Sequence, residues 1–155
     1  MNKTIIGIYG RASEGKSETI KAFCQELTTC YPNAIASTNP INYSQDILVT
    51  IQLGNVKIGI ESQGDPNSRM INEDTIRRLA DPVFDPILGG CDIIVCATRT
   101  EGMTTNKVDG IANIYGYHTL WISSFWSPTL DKRKLNRFAA LNLVSVVKSL
   151  ILGKL

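Results

Sequence analysis

The chain has 155 residues, of which 43% are hydrophobic and 19% charged, with a formal net charge of +2. This length fits one domain, 1–155, and a chain of this size buries roughly 70% of its unfolded surface, enough for a core without staples. So small a net charge gives no signal for nucleic acid or an anionic membrane, and four cysteines without a C-x-x-C pair, beside one histidine, argue against a zinc site.

Residues 4–9 (TIIGIY) form a short apolar run with β-branched residues that ends at a glycine, which predicts a buried strand. The run is too short for a secretory signal, and no later apolar stretch is long enough to span a bilayer. Without an export signal the thiols are expected to stay reduced, and the cytoplasm is the expected compartment. Cys24 and Cys96 sit among apolar residues and read as small buried hydrophobes.

From Lys16 to about Cys30, Ile20, Phe23, Cys24 and Leu27 make one apolar stripe at helical spacing, and Pro32 ends it. Residues 31–45 are polar and lack periodicity, so they predict a long functional or mobile loop. Two alternating runs, 46–53 and 56–62, flank Gly54-Asn55 and predict an antiparallel hairpin. A loop over 61–70 follows, then a helix over 72–80 with Asn72 as cap and Ile76, Leu79 and Ala80 inward. Residues 93–98 (IIVCAT) read as a second buried strand, 103–116 as a helix and 119–123 as a strand. Ser127 reads as the cap, and Pro128 as the first helical position, of a final helix with Leu135, Phe138, Ala139, Val146, Leu150 and Ile151 inward. Lys132, Arg133, Lys134 and Arg137 are its wet face. Strands alternating with helices give an α/β fold with a mainly parallel sheet and one antiparallel hairpin strand.

Residues 10–17 read GRASEGKS and match G-x-x-x-x-G-K-[ST] at every fixed position, between a strand and a helix. Gly10 and Gly15 let the backbone approach a phosphate closely. The N–H groups of the loop (Gly10, Arg11, Ala12, Ser13, Glu14, Gly15, Lys16 and Ser17) then turn toward one concavity at a positive helix end. Lys16 sets an ammonium against the β- and γ-phosphates, and Ser17 offers a hydroxyl to Mg²⁺. Arg11 is a variable position, read either as solvated or as reaching the γ-phosphate.

On these residues the chain resembles the P-loop NTPase superfamily. The resemblance implies a three-layer P-loop NTPase fold and a bound nucleoside triphosphate, ATP or GTP, with Mg²⁺. The order of loop, helix, long loop and hairpin is similar to that of small GTPases. Carried over by position, Glu61 stands for that family's aspartate, with a metal and catalytic role, in an E-x-x-G that ends at Gly64. Gly64 then senses the γ-phosphate, and Thr38 is the candidate switch threonine on Mg²⁺. Asp65 stands where the family has its water-positioning glutamine; it acts on water or metal, or belongs to an ordinary Gly-Asp-Pro turn. Asn106-Lys107-Val108-Asp109 matches the guanine-reading N-K-x-D. It falls inside the expected 103–116 helix, so it reads as a coincidental exposed pair and leaves the base unassigned. Arg99 follows the 93–98 strand at the edge where open α/β sheets bind ligands, and reads equally as a surface residue.

Three functions remain open in the order given. The first is an NTPase hydrolysing the γ-phosphate. The second is a binding module that holds nucleotide and signals to a protein partner. The third is a kinase with Arg69, Arg77 and Arg78 as a lid.

Overall fold

The opening apolar run becomes β1 (Thr4–Tyr9), an interior strand with a parallel neighbour on each side. The computed structural model describes residues 1–10, 15–63, 73–98 and 103–155. The chain continues through α1 (Lys16–Cys30), β2 (Ile35–Ala36), β3 (Leu48–Leu53), β4 (Val56–Glu61) and α2 (Glu73–Ala80). It ends with β5 (Ile93–Thr98), α3 (Met103–Tyr115), β6 (His118–Ser123) and α4 (Lys132–Ile151). The strands form one mixed, mostly parallel sheet in the order β2-β3-β4-β5-β1-β6, in which β3 alone runs against the others.

Alternation along β1 splits the core into two clusters, one on each face of the sheet. Ile6 and Ile8 pack with Phe23 and Leu27 of α1 and with Leu143 and Val147 of α4. Ile5 points the other way, onto Leu79 of α2 and Val108 and Ile111 of α3. Each such fully buried side chain stabilises the fold by about 1.5–3 kcal/mol relative to exposure. Gly7 interrupts the apolar run for a steric reason: a Cβ there would lie 2.4 Å from the Trp121 ring of β6. The glycine lets that indole lie across the middle of β1.

The 31–45 segment departs from the expected structureless loop. Ile35 and Ala36 pair with Gln52 and Ile51 as an outer strand, extended by the Ser37 N–H bonding Thr50 O at 2.9 Å. Two residues are too few to leave a period in the sequence.

The final helix also starts later than the Ser127-Pro128 pair suggests. Ser127 Oγ accepts the N–H groups of Thr129 and Leu130 and so closes a turn. The helix cap is Asp131, whose Oδ1 accepts the N–H groups of Arg133 and Lys134 at 2.9 and 3.1 Å. This onset sets the helical phase. Ala139, Ala140, Leu143, Val144, Val147 and Leu150 point inward. Leu135, Val146 and Ile151 are half-buried, and Phe138 is not inward but 66% exposed. Among the described residues no helix is long and apolar enough to cross a membrane.

Candidate functional site

The site forms where β1 gives way to α1, at the C-terminal edge of the parallel strands. Gly10 is buried at the end of β1, and Gly15 caps α1 with φ 81° and ψ 15°, a left-handed conformation that disfavours a side chain. As a glycine it has no side chain with which to cap α1, whose first-turn N–H groups lack intrahelical partners. Such an end attracts an anion. Residues 11–14 of the loop, Arg11, Ala12, Ser13 and Glu14, lie outside the described residues.

Lys16 is only 6% exposed, and its Nζ turns back to donate to Gly10 O at 2.6 Å. The ammonium therefore spans the two fixed ends of the loop. One residue on, Ser17 Oγ donates to Asp46 Oδ1 at 2.8 Å, and Ser62 Oγ donates to the same oxygen at 2.9 Å. Ser62 is held in turn by a reciprocal pair with Ile47, through Ile47 N–H to Ser62 Oγ and Ser62 N–H to Ile47 O.

Sequence reasoning passed over Asp46. The available signal was topological. A strand antiparallel to β4 must begin where β4 ends, so the residue opening the 46–53 run returns to the edge that carries Glu61 and Ser62. The register Leu48↔Glu61 does this.

Glu61 itself sits differently. It closes β4, is 2% exposed, and pairs in register with Cys96 of β5, which pairs with Gly7 of β1. That row lies three residues, or about 10 Å, short of Gly10, and β5 separates β4 from β1. Burial pushes the Glu61 carboxyl well above its ordinary range, opposed by the Gln63 N–H and reinforced by Asp46. Its Oε1 has no hydrogen-bond partner among the described residues. Ser17 is thus brought to Asp46, while Glu61 lies buried with the charged form of its carboxyl disfavoured. Buried polar atoms without partners among the described residues recur along this edge, at Thr98 Oγ1 ending β5 and Ser124 Oγ following β6. Open α/β sheets bind ligands along such an edge.

Thr38 is exposed just beyond β2, and no described hydrogen bond joins it to Ser17 or Asp46. Gly64, Asp65, Arg69 and Arg99 lie outside the described residues. Arg78 is engaged away from this edge, with Nε 2.9 Å from Asp85 Oδ2, while Arg77 stacks on Phe84 and bonds Tyr115 Oη. Asn106 and Asp109 are exposed on α3. Asn136 of α4 reaches the exit of the loop, where its Oδ1 would lie 2.8 Å from a Cβ at Gly15 and accepts from Thr19 Oγ1 at 3.4 Å.

Among the described residues no group of three or more His, Cys, Asp or Glu side chains is placed to hold a metal. Ser17 and Asp46 are both hard oxygen donors, a pair that suits Mg²⁺ only when phosphate oxygens and water complete its shell. Chemistry at the three buried cysteines is disfavoured. Burial raises Cys24, moves Cys91 up to about 12 and lifts Cys96 well above the usual thiol range. Comparison with family models, curated proteins and solved structures finds no significant match for this chain.

Proposed function

We propose that this chain binds a nucleoside triphosphate, ATP or GTP, with Mg²⁺ in the 10–17 loop of a P-loop NTPase fold, and hydrolyses its γ-phosphate. The observation that carries this reading is the Ser17–Asp46 hydrogen bond beside the inward-turned Lys16, at a helix start whose N-cap, Gly15, makes no side-chain cap bond. An ammonium, a hydroxyl and a carboxylate meet the N–H groups that a polyphosphate requires. Lys16 exchanges the Gly10 carbonyl for phosphate oxygens, and α1 supplies its first-turn N–H groups. Bound Mg²⁺ supplies charge neutralisation at the phosphates. Ser17 would offer it a hydroxyl, and Asp46, in place of Glu61, would be the carboxylate that holds it. In-line attack by water is then assisted by charge stabilisation from Lys16 and the loop amides.

A second reading, a module that holds nucleotide without turnover, is favoured by Glu61. Burial disfavours the charged form of its carboxyl, the form that a base for water requires. Titrating ATP and GTP with and without Mg²⁺ against wild type and Lys16→Ala tests the binding shared by both readings, and phosphate release separates them. A chain indifferent to every triphosphate sinks both.

A further inference from the structure

Twelve large apolar side chains are exposed among the described residues, and six of them, Trp126, Leu130, Phe138, Leu141, Leu152 and Leu155, fall within 126–155. The same stretch concentrates positive charge. Residues 131–155 hold six basic side chains against Asp131 alone, whereas the remaining chain has ten basic and thirteen acidic residues and is net negative by three. The overall value of +2 conceals this division.

On α4 the two features interleave. The face opposite the buried Ala140, Leu143, Val144 and Val147 exposes Lys134, Arg137, Phe138, Leu141, Lys148 and Leu152. Lys134, Phe138, Leu141, Ser145, Lys148 and Leu152 follow one another at intervals of three and four, with Arg137 beside Phe138, so they form a single stripe along the helix. An outward helix face is ordinarily polar, and this one alternates cations with bulky apolar groups. The Phe125 and Phe138 rings, 5.8 Å apart, bring the preceding loop and its half-exposed Trp126 beside the stripe.

We propose that this stripe docks on an anionic phospholipid surface. Phe138, Leu141 and Trp126 enter the boundary between headgroups and acyl chains, where aromatic residues concentrate. Lys134, Arg137 and Lys148 lay their stems along the apolar layer and place their charges among the headgroups. Arg137 is paired with Glu26 at 3.4 Å, but the Arg137 side chain is 73% exposed, so solvent screens the pair and its charge stays available. A second copy of the chain is a poorer occupant. A two-fold contact through this face sets the basic stripe against itself, and like charges repel.

The test is sedimentation of the full chain with phosphatidylcholine vesicles, with and without phosphatidylserine, at low and high salt. Binding is expected only to the anionic vesicles and is expected to weaken with salt. Lys134→Glu with Arg137→Glu is expected to cut affinity about 25-fold or more, from roughly fivefold per basic residue. Phe138→Ser with Leu141→Ser is expected to cut it at least about tenfold. All four positions are exposed and lie outside the 10–17 loop, so triphosphate affinity is expected to stay at the wild-type value. Thermal melts are expected to shift only slightly, by loss of the Arg137–Glu26 pair and the Phe125–Phe138 contact. No binding to anionic vesicles at low salt, or equal binding to neutral ones, overturns the proposal. So does a wild-type dimer in light scattering that the Phe138 and Leu141 substitutions dissolve.

Discussion

Ser17 and Asp46 are 29 residues apart in sequence, yet the hydroxyl of one donates to the carboxylate of the other at 2.8 Å. Asp46 thereby holds the first turn of α1 against the mouth of the β3–β4 hairpin. Asp46→Asn keeps a hydrogen-bond acceptor and removes the charge. It is expected to lower the Mg²⁺-dependent part of triphosphate affinity about tenfold or more, while Glu61→Gln leaves that part unaltered. Calorimetric titrations with and without Mg²⁺ read the difference. Equal loss in both variants shows that the carboxylate roles are shared.

Lys16→Ala removes the ammonium that spans Gly10 and the start of α1. A charge-assisted hydrogen bond contributes about 1.5–3 kcal/mol, so triphosphate binding is expected to weaken by roughly 10- to 150-fold. Fluorescent-nucleotide titration measures it.

Glu61 couples stability to pH. Its folded-state pKa is raised by burial above the ordinary 4.5, so between that value and the raised one the folded chain binds more protons than the unfolded chain. The contribution is fully present below 4.5 and is lost as pH rises through the raised pKa, at a limiting slope of about 1.4 kcal/mol per pH unit. Glu61→Gln carries no such proton. Wild type and variant are therefore expected to differ by a constant amount in acid, with the variant gaining on wild type toward neutral and alkaline pH. Thermal melts across pH check this, and parallel curves refute it.

Gly7→Ala places a methyl group against the Trp121 ring. Overpacking of this kind costs about 1–3 kcal/mol, and shortening the ring with Trp121→Leu is expected to restore most of it. Denaturant midpoints of the single and double variants give the coupling.

Asp131→Ala removes the acceptor for two helix-start N–H groups and is expected to cost about 0.5–2 kcal/mol. Ser127→Ala breaks a turn outside the helix and is expected to cost less. The reverse ranking in urea melts places the helix start back at Pro128.

The elements with strong periodicity were legible in advance. β1, α1, the hairpin about Gly54-Asn55 and β5 lie where apolar spacing and turn residues predict them, because local preference and burial agree there. β2 was not legible, since its two residues pair only because β3 offers an edge. The start of α4 was misread because a serine–proline pair suits a turn as well as a cap, and only the backbone partners of Ser127 and Asp131 tell them apart. In the site, Lys16 and Ser17 were marked by their motif. Asp46 was hidden because nothing local distinguishes it from any aspartate before a strand; the sheet register brings it to the edge.

Because β5 stands between β1 and β4, the two sides of the site rest on supports of unequal stiffness. All six residues of β5 are buried, and it pairs with a strand on each flank. Backbone amides near Lys16's supporting strand are therefore expected to exchange with solvent last. Asp46 stands on a hairpin whose outer neighbour is two residues long, the kind of margin that opens first. If the proposed triphosphate occupies the loop, that pliable border is expected to tighten while the centre of the sheet stays still.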